Sequence, residues 1–114
     1  MIIRKYQDQP IKETTHKIDV REMYNKDSAQ VMLMALKPGE SLKPRKMPVD
    51  VFFFIVEGTP TIHIGYESKV CEKDSLIESP ADIGHYISNE SDKTARIMVV
   101  KAPRPTSSRV FYSF

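Results

Sequence analysis

The segment PADIGHYISN, residues 80–89, contains the pattern on which the interpretation of the whole sequence depends. Residues two apart in an extended strand lie on the same face, so Ile83, His85 and Ile87 are predicted to share one face. An imidazole between two isoleucines on such a face is expected to point toward an apolar interior. His85 is therefore the first candidate for a residue in a buried site.

Three longer segments are apolar on both faces, which is typical of strands covered on both sides. They are QVMLMALK (30–37), VFFFIV (51–56) and ARIMVVK (95–101). In the second of them, alternation directs Val51, Phe53 and Ile55 toward the interior of a barrel. Phe52 and Phe54 then face a second layer or a partner.

Shorter strands are predicted at residues 2–6, 16–20, 61–65, 68–72 and 75–78. Within 61–65, Ile62 and Ile64 are expected to face the core, so His63 between them is expected to face away from it. Proline, glycine and asparagine separate these segments, and no stretch of helical periodicity exceeds about ten residues. The sequence predicts an all-β barrel or sandwich that forms a single domain over residues 1–114.

A second pattern precedes the central strand: Gly39, five residues, Arg45, one residue, Met47, three residues, Val51, six residues and Gly58. These intervals resemble the first signature of the cupin superfamily, in which the three inner positions are histidine, histidine and glutamate. Both outer glycines are present, and all three metal-ligand positions are replaced.

The segment 80–89 resembles the second cupin signature: a proline, a glycine two positions later, a histidine after three more and an asparagine after four more. Pro80, His85 and Asn89 match it, whereas Asp82 stands at the glycine position. In cupins this histidine points into the mouth of a small β-barrel and is often a metal ligand. His85 is the only residue of this chain that matches a motif ligand.

The resemblance covers roughly residues 30–105 and implies a small cupin domain, a double-stranded β-helix (jelly-roll barrel). Residues 1–29 and the tail 106–114 are then expected to extend the barrel or to take part in a dimer.

The expected site is a metal-free pocket around Arg45 and His85, so no cofactor is predicted. A thioether at Met47 does not suit an ion that prefers oxygen ligands, and the fixed charge of Arg45 would repel a divalent cation. Arginine at the mouth of an apolar barrel suits a carboxylate or phosphate instead, so a small anionic or carbohydrate-like ligand is predicted. Its expected contacts are Arg45, Met47, Val51, Phe53 and His85.

Three alternatives to this pocket remain open at the level of sequence. The chain could be a metal-dependent cupin enzyme, of the dioxygenase or isomerase type, with relocated ligands. It could be a non-catalytic sensing or assembly module, or His85 could be a relic that only packs in the core. No catalytic residue is assigned, although His85 is a candidate general acid or base.

Composition excludes several classes of function. The net charge is +2, with 17 basic and 15 acidic residues. The sequence contains no clustered basic stripe, so nucleic acid is not expected as a partner. No apolar run approaches the length of a membrane span. A single cysteine, Cys71, fits a reducing compartment, so a cytoplasmic location is expected.

A homodimer is also expected, because one small barrel cannot cover strands that are apolar on both faces. The aromatic tail, with Phe111, Tyr112 and Phe114, presents the same problem. An isologous interface would bury both surfaces on each subunit. The competing account folds the tail over the barrel mouth as a lid.

Overall fold

A computed structural model of the chain describes residues 1–12 and 17–105, which form nine strands and one short 3₁₀ turn. The strands are β1 (Asp19–Lys26), β2 (Ala29–Leu36), β3 (Arg45–Lys46), β4 (Asp50–Glu57), β5 (Thr61–Ile64), β6 (Glu67–Val70), β7 (Leu76–Ser79), β8 (Gly84–Ser88) and β9 (Ala95–Ala102). A five-stranded sheet has the order β1-β2-β9-β4-β7, and a four-stranded sheet the order β3-β8-β5-β6. All pairs are antiparallel. This double-stranded β-helix confirms the predicted fold.

The core lies between the two sheets and follows the alternation of the sequence. In β4, Val51, Phe53 and Ile55 are at most 3% exposed, while Phe52 and Phe54 on the opposite face are half-buried. Rows of side chains then cross the five-stranded sheet through the strand register. One such row places Met34, Ile97 and Ile55 side by side, all of them buried. The sides predicted for the central strand are confirmed.

Strand β8 carries the histidine with which the sequence analysis began. His85 and Ile87 point into the core and are 7% and 1% exposed. The prediction that Ile83 shares their face is wrong, because the strand begins only at Gly84 and Ile83 lies between it and the turn at Ala81 and Asp82, 41% exposed. The same alternation in β5 buries Ile62 and leaves His63 half-buried on the outer face, as predicted.

The N-terminal strands are the main error of the sequence prediction. Residues 2–6 form no strand; Ile2 and Ile3 are exposed, and a single 3₁₀ turn spans Tyr6–Asp8. The second strand is β1, which begins at Asp19 and runs through a polar segment, because it forms a hairpin with β2 around Asp27 and Ser28. Backbone pairing with an apolar neighbour outweighs its own weak propensity. His16 and the tail 106–114 lie outside the described residues.

No helix among the described residues is long and apolar enough to cross a membrane.

Candidate functional site

A cavity of about 240 Å³ lies between the two sheets. Its apolar lining consists of Val20, Met32, Met34, Leu42, Met47, Phe53, Ile87 and Val99. Its polar lining consists of Lys12, Lys43, Arg45, His85, Tyr86 and Lys101. Four of the described lining residues are basic and none of them is acidic, so the wall of the cavity is positively charged.

His85 is held in the cavity wall by two contacts. Its Nδ1 lies 3.0 Å from the Ser79 hydroxyl, and its ring meets the edge of Phe53 with 5.2 Å between ring centroids. Burial, followed by the positive charges of Lys101 and Arg45, lowers the pKa of His85 from 6.5 to about 4. The imidazole is therefore neutral near pH 7, where it can donate one hydrogen bond and accept another.

The structure brings four of the five predicted ligand-binding residues together. Arg45 pairs with His85 through the backbone of the short strand β3, and Met47 and Phe53 contribute apolar surface to the same cavity. Val51 is the exception: it is buried in the five-stranded sheet and lies outside the lining of this cavity. Its neighbours across that sheet are Lys101 and Ser79.

Lys101 is the main site residue that sequence reasoning missed. It lies in β9 beside Val51, points inward and is only 9% exposed. Burial and the nearby charges of Arg45 and Lys12 lower the pKa of its ammonium group from 10.5 to about 8, partly opposed by Glu22. The signal was present, since alternation along ARIMVVK places this lysine on the same face as the buried Ile97 and Val99.

Lys12 and Lys43 were also missed. Lys12 is fixed by a backbone hydrogen bond to Val20 (2.8 Å), and its Nζ lies 3.7 Å from the Glu22 carboxylate. Glu22 also accepts a hydrogen bond from Gln30 (2.9 Å), and this bond is the main cause of the lowered pKa of its carboxyl group. One carboxylate at the edge of the site therefore offsets only part of its positive charge.

His63 does not belong to the cavity. Its ring stacks on Tyr86 at 3.9 Å between centroids, and its Nε2 lies 2.8 Å from the Ser88 hydroxyl. Since that hydroxyl donates to Glu90 (3.1 Å), the imidazole is the donor to Ser88. Burial lowers the pKa of His63, and Glu90 partly opposes this effect. His63 therefore belongs to a hydrogen-bonded cluster on the outer face of the four-stranded sheet.

The family model of the cupin domain matches residues 32–101, more than half of the chain. The chain belongs to the cupin family. No functionally curated protein matches it in sequence.

Solved cupin-like structures agree with the fold. The TT1209 protein of Thermus thermophilus is 25% identical, with a TM-score of 0.80 over 92% of this chain and 100% of the other. The polyketide cyclase RemF of Streptomyces resistomycificus is 15% identical, with a TM-score of 0.84 over 100% and 86%. A protein described as a predicted oxalate decarboxylase from Thermotoga maritima is 14% identical, with a TM-score of 0.81 over 91% and 100%.

Two residues of the second cupin signature, Asn89 and Asp82, have structural roles in this chain. Asn89 is 1% exposed and its amide donates to the carbonyls of Leu36 (2.9 Å) and Lys93 (2.7 Å), which joins the end of β2 to the β8–β9 turn. Asp82, at the usual glycine position, adopts a φ of +65°, a conformation that aspartate tolerates better than most residues. Asn89 therefore holds the barrel together and takes no part in the cavity.

The residues of this cupin do not fit the metal centre that many members of the family carry. The three ligand positions of the first signature hold Arg45, Met47 and Val51, and the first of these carries a permanent positive charge. Within residues 1–12 and 17–105, no three His, Cys, Asp or Glu side chains form a group that could hold a metal ion. Asp50 does not replace the missing glutamate, because it is exposed and lies outside the lining of the cavity, where its carboxylate accepts a hydrogen bond from the backbone of Ala81 (2.9 Å).

Proposed function

We propose that this cupin binds a small anionic ligand in the cavity, a carboxylate or phosphate that can be part of a sugar-like molecule, without a metal ion. The observation that carries the proposal is the charge of the wall. Four basic side chains line the cavity, and none of the described lining residues is acidic. A ligand with one or two negative charges would be attracted to these cations and would reduce the repulsion that Arg45 and Lys12 exert on Lys101.

The size and the two kinds of wall narrow the class of ligand. A volume of about 240 Å³ corresponds to roughly eight water molecules, below the usual range for drug-sized ligands. The methionines and Phe53 provide an apolar side, whereas Arg45 offers the paired donors that match a carboxylate or phosphate. A short molecule with an anionic head and a compact body fits both.

Removing the Arg45 side chain tests the anion site. We expect Arg45→Ala to weaken the binding of small carboxylates or inorganic phosphate by about 10- to 100-fold, as for the loss of a hydrogen bond to a charged group. Isothermal titration calorimetry at low and high salt would measure it. Lys46→Ala is the matched control, because Lys46 is the next residue of β3 and is exposed outside the cavity lining. Equal affinities of the two variants would contradict the proposal.

The competing function is a metal-dependent enzyme with relocated ligands. It is considered because two of the similar structures are described as a polyketide cyclase and a predicted oxalate decarboxylase. The lack of a suitable ligand group in the described part of the chain argues against it. We expect protein purified without chelator to contain far less than one transition-metal ion per chain. Elemental analysis would measure this; about one ion per chain, lost in His85→Ala, would favour the enzyme instead.

We also propose that the protein is a homodimer that pairs through the outer face of the five-stranded sheet. Phe52, Phe54 and Met98 lie next to one another on that face and are only half-buried within a single chain. A second copy offers the same apolar surface to cover them. Light scattering should give a particle mass of twice the chain mass of 13.1 kDa. The Phe54→Glu variant should have the mass of a single chain. A single-chain mass for the unaltered protein would contradict the dimer.

A further inference from the structure

Lys101 has an unusual environment for a lysine. Its side chain is more than nine-tenths buried and lines the cavity, yet within residues 1–12 and 17–105 its ammonium group has no hydrogen-bonded or ion-paired partner. Lysines are almost never buried to this extent unless they are paired. A packing role is a weak explanation, since a methionine would fill the same space without burying a charge.

The surroundings favour loss of the proton from this amine. Arg45 and Lys12 repel the ammonium form, and burial removes the water that would stabilise it. With a pKa of about 8, about one molecule in ten carries the neutral amine at pH 7, against less than one in a thousand for a lysine in water. A neutral lysine amine held in an apolar pocket beside other cations is an activated nucleophile for carbonyl compounds.

We propose that the Lys101 amine forms an imine with a small aldehyde or ketone that also carries a carboxylate or phosphate, such as a 2-oxo acid. This inference rests on the proposed anion site, because Arg45 and Lys12 would hold the anionic group while the carbonyl carbon meets the amine. The nitrogen lone pair attacks that carbon to give a carbinolamine. Loss of one water molecule then removes the carbonyl oxygen with the two amine protons and leaves the C=N bond.

His85 has the properties needed to move protons during these steps. It lines the same cavity, it is neutral near pH 7, and its Nδ1 is already occupied by Ser79. The Nε2 atom is therefore the one left to exchange a proton with the carbinolamine oxygen. The apolar wall formed by Met47, Phe53 and Val99 would limit access of water, which favours the imine over its hydrolysis.

Reductive trapping tests the proposal directly. Protein incubated with pyruvate or glyoxylate and sodium cyanoborohydride should gain one adduct, whose mass is that of the free 2-oxo acid less one oxygen atom. Peptide mapping should place the adduct on Lys101 at least tenfold above any exposed lysine. Lys101→Met and Lys101→Arg should lose it, whereas Lys69→Met, at an exposed site on β6, should retain it. Circular dichroism would verify that each variant is folded.

Two further measurements separate this inference from the anion site. Lactate, which has the carboxylate of pyruvate but no carbonyl, should bind and should reduce labelling of Lys101 without affecting other lysines. Labelling should rise as the pH increases from 6 to 8, because the neutral fraction of the Lys101 amine rises over this range. The charged or titratable groups around the amine are Lys12, Glu22, Lys43, Arg45 and His85. If lactate binds and neither oxo acid is trapped on Lys101, the imine is wrong and the anion site stands. If neither binding nor trapping occurs in the folded protein, both are wrong.

Discussion

Gly58→Ala should lower the free energy of unfolding by about 2–5 kcal/mol, from the sum of a left-handed backbone penalty and a steric clash. Gly58 has a φ of +79°, a backbone conformation that residues other than glycine rarely adopt. A Cβ atom at this position would also lie 2.6 Å from the carbonyl oxygen of Thr94 and 2.9 Å from the Cα of Ala95. Both are backbone atoms, one in the residue before β9 and one in its first residue, so relief of the clash requires the adjoining ends of β4 and β9 to move apart.

Gly39→Ala is a matched control for this change. Gly39 has a φ of +86°, and a Cβ built there meets no described atom within 4 Å apart from its own residue and its two chain neighbours. The control variant should lose only the backbone penalty, about 1–2 kcal/mol. Chemical denaturation of the three proteins would measure the difference. Equal losses in the two variants would show that β9 does not approach Gly58 as closely as described.

Acidification should destabilise the protein through His85 by about 3 kcal/mol between pH 6.5 and pH 4. The folded state holds the pKa of this imidazole at about 4, whereas the unfolded chain has the ordinary value of 6.5. Between these values the unfolded state takes up a proton that the folded state refuses. Stability from this group is therefore complete above pH 6.5 and is lost as the pH falls toward 4.

Comparison with a His85→Gln variant isolates this contribution from the carboxyl groups that titrate in the same range. The unfolding free energy of the variant should depend less steeply on pH, by about 1.4 kcal/mol per pH unit over this interval. Direct titration by NMR should find the imidazole of His85 neutral at pH 5.5. An ordinary pKa near 6.5, or equal pH dependence in both proteins, would refute the assignment.

The strands of the barrel could be predicted because period-two alternation reports directly which side chains face the core. The central strand β4 illustrates this, since Val51, Phe53 and Ile55 are buried as their positions indicate. The N-terminal part could not be predicted in the same way. Ile2 and Ile3 form an apolar pair that finds no strand partner, whereas the polar β1 pairs with β2 through its backbone. Such pairing depends on a neighbour distant from the local pattern.

The candidate site was predictable in part for a related reason. Motif spacing located His85 and Arg45 in the sequence. The register of β3 against β8 then places the two residues opposite each other. Lys101 was overlooked because a lysine at the end of a strand ordinarily leads into solvent. Lys12 lies outside the barrel motifs, and it reaches the cavity only because its backbone bonds to Val20. The family motifs describe where metal ligands belong, and they contain no position for a cation that replaces them.

The brevity of β3 gives the cavity one wall that differs from the others. Only two residues of that strand pair with β8, while the opposite sheet is built mainly from strands of eight residues. Local unfolding in a native protein starts where few backbone hydrogen bonds must break together. The segment from Leu42 to Met47 is also anchored at its two ends, by hydrogen bonds from the Leu42 N–H to the Ile87 carbonyl (3.0 Å) and from the Asp82 N–H to the Met47 carbonyl (2.7 Å). We therefore expect residues 43–46, between these anchors, to open more easily than the five-stranded sheet and to admit a small molecule while that sheet stays intact. Once inside, it would make that segment more rigid, so occupancy of the interior would be communicated to the surface through this single edge.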